Sequence, residues 1–557
     1  MHKPWINHYD PGVPAELSYP DITVFDYLDQ AAERYPDKAC TIYRDQSITF
    51  AEMKRLSDVL AHGLIELGVQ VGDRVGIILP NIPQFVLAYY AVLKSGGIVV
   101  AINPQYKQLE LEYQLRDSGT QVIIALAMHR ELLDEIRKTT RIQAVLYTQV
   151  EDAFDLVDSL NLDPQLVAGC NSVDADCWLT TVLTRSGERS AAPLPKVLPQ
   201  DVAIFQYSGG TTGTPKAAIG LHRNLVANTT MFRRWLVGLH DGQETVLAAI
   251  PLFHVYGMVI AMSVGMGLGA SLVLVQNPRN IEELLGVIQN YRPTLFPGVP
   301  SMYQAINLHT DVTAGKYDLS SIKACISGSA PLLPEVKQRF EALTGGKLME
   351  GYGLSEAPTA THCNPMFGEN RTGSIGLPLP DVDCRIVDLD TGADVPTGER
   401  GELLIRSPQV MQGYHNRPDE DAITLTDGWL HTGDVARMDA DGYFYLVDRK
   451  KELIKVGGFQ VWPREIEAVI AMHPKVRESA VAGVPHPVKV EIVKAWVVLK
   501  TGEELSVDEV RIWCGQHLAG YKVPSEVTFR KELPRSTVGK VLRRELRRMH
   551  ITGIDSD

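Results

Sequence analysis

The first 200 residues alternate short apolar runs with longer segments whose apolar positions repeat at helical spacing. Residues 75–79 form an apolar run that stops at Pro80, residues 85–93 have a helical pattern, and residues 98–102 form the next apolar run. A strand, a helix and a second strand at this spacing are typical of a parallel sheet covered by helices. The pattern predicts a layered α/β fold, and we expect this rhythm to continue to about residue 447.

A short charged segment at residues 448–452 precedes a smaller unit in which the order of elements changes. Pro463 suits the first turn of a helix, and residues 506–509 match the capping box that begins another helix. We therefore divide the chain into a large N-terminal domain at residues 1–450, made of layered α/β subdomains, and a small α+β C-terminal domain at residues 451–557.

The composition excludes several classes of protein. The chain has 557 residues, of which 45% are hydrophobic and 22% are charged, as in average globular proteins. Acidic side chains outnumber basic ones, 67 to 54, which argues against a general nucleic-acid binder. The seven cysteines form no Cys-x-x-Cys pair, and the first residues lack a signal-peptide pattern. We expect a cytoplasmic enzyme without a disulfide framework or a structural zinc site.

Residues 258–275 contain no charged side chain, and their length is that of a candidate membrane span. Gly265, Gly267 and Gly269 interrupt this run. Because closely spaced glycines favour turns, we interpret the segment as a helix, a glycine turn and a buried strand.

The most informative segment is a loop rich in glycine and threonine at residues 204–216, which follows an apolar run. Gly209, Gly210 and Gly213 allow backbone N–H groups to face an anion, and Lys216 adds a positive charge. The lysine follows a proline, so the loop differs from the Gly-x-x-x-x-Gly-Lys-Ser/Thr pattern. The combination predicts a loop that binds a polyphosphate.

This loop resembles the phosphate-binding signature of the acyl-adenylate-forming (AMP-binding) superfamily. Further segments match that family's motifs in the same order along almost the whole chain, namely residues 251–257, 327–331, 350–356, 427–434, 448–452, 457–460 and 534–540. Within the superfamily, the sequence is most similar to the bacterial long-chain fatty acid–coenzyme A ligases. The resemblance implies ATP, Mg²⁺ and coenzyme A, and a mobile small domain with its hinge near Lys451.

The resemblance also implies the residues of the site. The catalytic residues would be Lys540, Lys216, His254 and Glu356, and Glu356 would also bind the magnesium ion. The residues that bind ATP or coenzyme A would be Ser208, Gly209, Gly210, Thr211, Thr212, Gly213, Thr214, Ser329, Ala330, Glu350, Gly351, Tyr352, Gly353, Asp434, Arg449, Lys451, Gln460, Gly457 and Gly458. Tyr352 would pack on adenine, and Asp434 would accept hydrogen bonds from the ribose hydroxyls.

Several of these residues have an ordinary structural interpretation. Asp434 could be a turn aspartate, Tyr352 a core aromatic side chain and His254 a buried histidine whose polar atoms are satisfied. The arginines near the end of the chain, Arg543, Arg544, Arg547 and Arg548, are more often a solvated basic face. His254 follows Phe253, whereas amino-acid-activating relatives carry an aspartate here, so an amino acid substrate is not expected.

The leading interpretation is a ligase that forms acyl-AMP and pyrophosphate, and then acyl-CoA and AMP. A medium-chain or aryl acid ligase would differ only in the acyl pocket, which residues 258–275 and 296–303 are expected to line. A fatty acyl-AMP ligase that loads a carrier protein is less favoured, because no extra segment separates residues 448 and 540. A non-enzymatic binding protein is disfavoured because Lys216, Glu356, Asp434 and Lys540 are all present.

Three further expectations follow from the resemblance. Long-chain substrates partition into bilayers, so peripheral contact of the protein with the inner membrane face is one expectation. A homodimer is also open, since dimers occur in the family. Residues 486–491 depart from the family pattern, which puts the affinity for coenzyme A in question.

Overall fold

The computed structural model describes residues 3–160, 176–186, 193–208, 215–456, 459–486, 490–535 and 541–553. The α-helices among them are α1 (Asp26–Arg34), α2 (Phe50–Glu66), α3 (Pro83–Lys94), α4 (Gln108–Ser118), α5 (Arg130–Arg137), α6 (Leu156–Ser159), α7 (Leu179–Ser186), α8 (His222–Trp235), α9 (Val264–Gly267), α10 (Ile281–Tyr291), α11 (Pro300–Leu308), α12 (Thr310–Thr313), α13 (Pro334–Thr344), α14 (Pro418–Thr424), α15 (Pro463–Ala471), α16 (Val507–His517) and α17 (Arg543–Ile551).

The strands within the same residues are β1 (Ala39–Tyr43), β2 (Gln46–Thr49), β3 (Arg74–Ile78), β4 (Ile98–Ala101), β5 (Val122–Leu126), β6 (Ala144–Thr148), β7 (Cys177–Trp178), β8 (Val202–Ser208), β9 (Lys216–Leu221), β10 (Thr245–Ala248), β11 (Ser271–Leu274), β12 (Leu295–Gly298), β13 (Ala324–Ser327), β14 (Lys347–Leu354), β15 (Ala357–Cys363), β16 (Leu377–Pro378), β17 (Asp383–Val387), β18 (Gly401–Arg406), β19 (Leu425–Thr426), β20 (Trp429–Met438), β21 (Phe444–Arg449), β22 (Ile454–Val456), β23 (Phe459–Val461), β24 (Val476–His486), β25 (Val490–Leu499) and β26 (Glu526–Phe529).

Two large sheets form the core of the large domain. One has seven strands in the order β7-β6-β5-β3-β4-β8-β9, and the other has nine in the order β16-β15-β14-β13-β12-β10-β11-β1-β2. The pairs in the middle of both sheets are parallel, and antiparallel pairs such as β8–β9 and β14–β15 lie at their edges. The predicted strand, helix and strand at β3, α3 and β4 are therefore confirmed.

Helix α3 lies between the two sheets, where it contacts β3 and β4 on one side and β1 on the other. Every residue of this helix is buried, including Lys94 at its last position. The Lys94 ammonium lies 2.7 Å from an Asp29 oxygen and 2.6 Å from an Asp58 oxygen. Because a buried charge is costly unless it is paired, these carboxylates of α1 and α2 compensate the lysine and tie three helices together.

The predicted α/β rhythm is wrong from β14 onward. The later strands of the large domain pair antiparallel, and β17, β18, β20, β19 and β21 form a separate five-stranded sheet. Several side chains of β17, β20 and β21 are only partly buried, as expected for an antiparallel sheet that is not covered on both faces. A turn that ends at Gly442, with a φ of +88°, connects β20 to β21.

The small domain, from Ile454 onward, has its own sheet in the order β23-β22-β25-β24, with β26 beside β25. Pro463 opens α15, and Ser506 and Glu509 form the predicted capping box at the start of α16. The predicted strands are β24 and β25, and they pair antiparallel. The exact boundary at residues 450 and 451 stays a prediction.

The uncharged segment near residue 260 folds as a π-helix at Gly257–Ser263, followed by α9 and the buried strand β11. The predicted helix, glycine turn and strand are confirmed, although the π-helical geometry was not foreseen. Among the described residues, no helix combines the length and the apolar character that a membrane span requires. The six described cysteines are buried and form no disulfide with one another.

Candidate active site

The structure brings three predicted nucleotide-binding residues together from two different sheets. Tyr352 of β14 donates a hydrogen bond to Asp434 of β20, with 2.6 Å between the oxygens. Arg449 of β21 is directly opposite Asp434 in the sheet, and its Nε lies 2.9 Å from the other carboxylate oxygen. Asp434 is only 4% exposed, so it is a buried strand residue and not a turn aspartate. Burial and the Asp434 charge raise the pKa of Tyr352 well above its ordinary value.

The backbone of the next strand requires glycine at position 353 and leaves only a tight space beside position 351. A Cβ at Gly353 would lie 1.6 Å from the carbonyl oxygen of Thr359, and a Cβ at Gly351 would lie 3.3 Å from that of His362. Because a side chain at Gly353 would overlap the backbone, only glycine lets β14 and β15 approach this closely. The motif therefore presents the ring of Tyr352 from a strand that has little room to move.

Glu350 begins this motif and is 8% exposed. One carboxyl oxygen faces the backbone N–H of Leu332 at 3.4 Å, and the other has no hydrogen-bond partner among the described residues. Burial raises the pKa of Glu350 to about 7, and the Leu332 N–H and the charge of Arg464 partly oppose this shift. Glu350 thus has spare hydrogen-bonding capacity beside the loop after β13. That loop carries Ser329, which has a φ of +70°.

The phosphate side of the site is built around Tyr414. The Lys216 ammonium lies 2.6 Å from an oxygen of Glu420 in α14 and 5.5 Å from the centre of the Tyr414 ring. The Tyr414 hydroxyl donates a hydrogen bond to Glu356 at 2.7 Å. Lys216 and Glu356, which are predicted to meet the phosphates and the magnesium ion, therefore share one neighbour.

The ends of the phosphate loop are fixed by pairing. Ser208, the last residue of β8, is opposite Lys216, the first residue of β9. The Tyr113 hydroxyl holds the carbonyl oxygen of Pro215 at 2.8 Å. The side chain of Ser208 and the whole of Gly209, Gly210, Thr211, Thr212, Gly213, Thr214, Gly457, Gly458 and Lys540 lie outside the described residues.

His254 lies in the turn between β10 and the π-helix. Its Nδ1 accepts the backbone N–H of Tyr256 at 3.2 Å, so the proton of the neutral ring is on Nε2. Burial lowers the pKa of His254 to about 4, which keeps the ring neutral at pH 7. The Tyr256 hydroxyl donates to the carbonyl oxygens of Ile326 and Gly298, at 2.7 and 3.1 Å. The His254 motif is thus fastened to β12 and β13, and the apolar π-helix begins directly after it.

The segment between the two domains leaves β21 at Arg449 and continues as a short 3₁₀ helix at Lys450–Glu452. Lys451 is exposed, and so is Gln460 on β23. Although much of the Lys451 surface is exposed, partial desolvation of its ammonium group and the neighbouring Arg449 charge lower its pKa. The structure places this lysine where the chain passes from one sheet to the next.

The interpretation of the last arginines as a solvated basic face is wrong for two of them. Arg543 contacts Glu467 with 2.7 Å between Nη2 and Oε2, and Arg547 contacts Glu452 at 3.0 Å. These contacts are made because α17 packs against β24 of the small domain, which leaves the side chain of its first arginine only 17% exposed. Periodicity alone gave no signal for them.

One aromatic pair escaped the sequence reasoning. Phe459 and Tyr521 stack with 4.5 Å between ring centres and 18° between planes. Both are exposed, at 55% and 38%. The only signal was the position of Phe459 directly after two glycines, since Tyr521 lies far along the chain.

Comparison with known proteins identifies the family. Residues 28–415 match the sequence model of the AMP-binding enzymes, and residues 465–540 match that of the AMP-binding enzyme C-terminal domain. The chain belongs to the AMP-binding enzyme family. The resemblance read from the motifs is thus confirmed, and the likeness to solved structures described next confirms the α/β fold with a large and a small domain.

The sequence is 42% identical over 549 residues to a long-chain-fatty-acid–CoA ligase of Bacillus subtilis (strain 168), and the alignment covers 98% of this chain and 97% of that protein. The structure is similar to ATP-bound MatB from Rhodopseudomonas palustris, with a TM-score of 0.83, 27% identity and coverage of 96% and 100%. Apo MatB from the same organism gives a TM-score of 0.72 at the same identity and coverage. The structure of this AMP-binding enzyme as a whole is therefore more similar to ATP-bound MatB than to apo MatB.

Proposed function

We propose that this protein is an ATP-dependent long-chain fatty acid–coenzyme A ligase. The observation that carries the proposal is the near full-length similarity to a protein of that name. In the first half-reaction, a carboxylate oxygen attacks the α-phosphorus of ATP, and acyl-AMP and pyrophosphate form. In the second, the thiol of coenzyme A attacks the acyl carbonyl, AMP leaves, and the thiol proton is released. Adenylation needs charge screening and positioning more than a protein nucleophile.

The nucleoside would bind against Tyr352, Asp434 and Arg449. A carboxylate accepts but does not donate and has about four lone-pair sites, so Asp434 can accept from two ribose hydroxyls while it keeps the hydrogen bond from Tyr352. The ring of Tyr352 would cover one face of adenine, with Ser329 and Ala330 on the other side. Arg449 would stay paired with Asp434 or turn to the α-phosphate.

The phosphates would bind to the loop that runs from Ser208 to Lys216. The charge of Lys216 would move from Glu420 to the phosphate oxygens, which is supported by the half-exposed position of that ion pair. Glu356 fits a magnesium ligand, because Mg²⁺ takes a few carboxylate oxygens and completes its shell with phosphate oxygens and water.

The acyl chain would start at His254 and continue along the π-helix. A neutral imidazole that carries its proton on Nε2 can donate to the substrate carboxylate without pairing with it permanently. The residues from Gly257 to Ser263 are all buried and uncharged, which suits an apolar tail. Each methylene of the tail contributes about 0.8 kcal/mol on burial, so a long pocket discriminates strongly by length.

The small domain would serve both half-reactions in turn. Lys540 would bridge the substrate carboxylate and the α-phosphate, and rotation near Lys451 would then bring Gly457 and Gly458 beside the pantetheine thiol. Gln460 and the exposed ring of Phe459 follow these glycines and would face coenzyme A. In the unusual segment at residues 486–491, Glu491 accepts the backbone N–H of Lys455 at 2.9 Å, so it supports the same hairpin.

Membrane contact and self-association belong to the same proposal. Peripheral contact with the inner membrane face would deliver long-chain acids, and a homodimer would be consistent with the family. Co-sedimentation with vesicles of phosphatidylglycerol and light scattering test these two points.

The deciding experiment measures pyrophosphate release from ATP with saturated acids from acetate to stearate, each with and without coenzyme A. We expect the highest rate with long chains, and acyl-CoA only when the thiol is present. A maximum with short or aromatic acids would move the substrate to the medium-chain or aryl class. Pyrophosphate release without any thioester would indicate a carrier-protein acceptor instead.

Lys540→Ala separates the two half-reactions. We expect pyrophosphate release to fall by a factor of at least about 100, because the charge that bridges the reacting groups is lost. Thioester formation from supplied acyl-AMP should stay within about 3-fold of the unaltered enzyme. An equal loss of both would contradict the assigned role of Lys540.

A further inference from the structure

A carboxylate of the large domain caps a helix of the small domain. Asp448 lies on β21, opposite Val435 of β20, so it is held in the five-stranded sheet of the large domain. Its Oδ2 accepts the backbone N–H of Arg464, the second residue of α15, at 2.9 Å. The residue before this helix, Trp462, makes no side-chain cap of its own. A carboxylate at this end is favourable, because the first N–H groups of a helix lack partners and carry partial positive charge.

Asp448 also faces an arginine of the last helix. Nη1 of Arg543 lies 3.9 Å from Oδ1 of Asp448, while the same guanidinium is bound to Glu467 of α15. The side chain of Asp448 is completely inaccessible to solvent in this arrangement. Oδ1 also accepts the backbone N–H of Arg449 at 2.8 Å, so the two contacts from the small domain complete the partners of a buried carboxylate, which is costly without them.

A second large-domain carboxylate lies within electrostatic reach of the same helix end. The positive charge of Arg464 acts on Glu350, which has one oxygen without a partner among the described residues. The charge of Arg464 therefore favours the ionised form of Glu350 in the orientation of this structure.

Rotation of the small domain removes these contacts. Asp448 stays with β20 when the chain turns near Lys451, whereas α15 and α17 move with the small domain. The carboxylate then loses the Arg464 N–H and the Arg543 guanidinium, and water replaces them. The structure in which they are made has a TM-score of 0.83 with ATP-bound MatB and of 0.72 with apo MatB.

We propose that Asp448 is a positioning residue that latches the small domain in the orientation for adenylation, through the N-terminus of α15 and the side chain of Arg543. This inference rests on the proposed two-step ligase function. The latch favours acyl-AMP formation and must open before the thiol attacks. Removing it therefore shifts the balance between the half-reactions instead of lowering both.

The test compares Asp448→Asn, Asp448→Ala and Arg543→Met with Glu452→Gln. The control, Glu452→Gln, also removes the charge of a buried carboxylate that is paired with an arginine of α17, namely Arg547. Both residues come after Lys451 in the chain, so rotation near Lys451 does not separate them. We expect the ratio of acyl-AMP formation to thioester formation from supplied acyl-AMP to fall at least 10-fold in Asp448→Ala and Arg543→Met. It should fall less in Asp448→Asn, which keeps an acceptor oxygen, and stay unchanged in Glu452→Gln.

A second readout follows the domain orientation with ATP alone. Fluorescent labels at Met128→Cys and Met472→Cys, which are exposed at 80% and 56%, report the distance between the domains. With ATP, Asp448→Asn should populate the distance of the ATP-bound enzyme less than the unaltered chain does. An unchanged ratio together with an unchanged distance distribution would overturn the latch. Absence of thioester formation in the unaltered enzyme would overturn the ligase function instead, and the distance measurement with ATP would still test the latch.

Discussion

The proposed nucleoside end and the proposed phosphate end of the site differ in how their charges are held. At the nucleoside end, Asp434 is buried, accepts a hydrogen bond from Tyr352 and forms an ion pair with Arg449. At the phosphate end, Lys216 is paired with Glu420, and both side chains are partly exposed, at 28% and 41%. The first end is preorganised, so ligand binding there requires little rearrangement. At the second end, Glu420 screens the charge of Lys216, and ATP bound as proposed would have to displace this carboxylate.

The comparison predicts the largest loss for Asp434→Ala. The variant removes the acceptor for the ribose hydroxyls and leaves the Tyr352 hydroxyl and Arg449 without their shared partner. Two hydrogen bonds to a charged group are each worth about 1.5–3 kcal/mol, so kcat/KM for ATP should fall by a factor of at least about 100. Steady-state kinetics at varied ATP concentration measures this change.

Asp439→Ala is the matched control for that variant. Asp439 follows directly after β20, and its carboxylate likewise accepts from an arginine and a tyrosine. Arg371 donates to it at 2.8 Å and the Tyr445 hydroxyl at 3.1 Å. It lies outside the proposed nucleotide site. Asp439→Ala should lower the thermal stability about as much as Asp434→Ala and leave the kinetics for ATP unchanged. A similar loss of kcat/KM in both variants would contradict the assignment of Asp434.

Tyr352→Phe tests the preorganisation itself. The ring that would cover adenine is kept, but the Asp434 carboxylate loses the hydrogen bond from Tyr352 and keeps the ion pair with Arg449. Because one bond to a charged group is lost, we expect KM for ATP to rise about 10-fold, with kcat changed much less. If KM stayed the same, the hydroxyl would not be needed to hold Asp434 in place.

Features that depend on neighbouring residues could be predicted from the sequence, whereas contacts between distant residues could not. Pro463 opens a helix, and Ser506 with Glu509 caps one, because these signals act within a single turn. The contact of Tyr352 with Asp434 spans 82 residues and joins two different sheets, so no local pattern encodes it. Both residues were assigned from the family motif, and the fold explains why they meet.

The antiparallel part of the large domain was mispredicted for a related reason. Apolar runs such as residues 401–406 are compatible with parallel and antiparallel strands alike. The turn at Gly442 was the local signal for a hairpin, and it was overlooked. The pairing of Lys216 with Glu420 could not be predicted from the sequence either, because only tertiary packing brings α14 to the start of β9.

Glu350→Gln tests whether the nucleoside end carries an uncharged carboxyl group. The pKa of Glu350 is raised to about 7 from the ordinary value of 4.5, so the folded state favours the protonated form. Its contribution to stability is complete below pH 4.5 and is lost as the pH rises through 7. Glutamine has no such loss, so its Tm relative to the unaltered enzyme should rise by roughly 2 °C or more between pH 4.5 and 8.

Differential scanning calorimetry across this pH range measures the difference between the two proteins. A Tm difference that is constant from pH 4.5 to 8 would show that Glu350 is ionised in the folded state. In that case Glu350 would add a negative charge to the nucleoside end.

The smallest expected effect belongs to the phosphate end. Glu420→Gln removes the carboxylate that competes with the phosphates for Lys216, so the affinity for ATP should increase. Exposed ion pairs are worth about 0.2–1 kcal/mol, which limits the fall in KM to about 2–5-fold, and high salt should reduce it further. In a Lys216→Met background the same substitution should have no effect, because the competition needs the ammonium group. A rise in KM for Glu420→Gln alone would mean that the carboxylate orients Lys216 toward ATP, and the phosphate end would then be as preorganised as the nucleoside end.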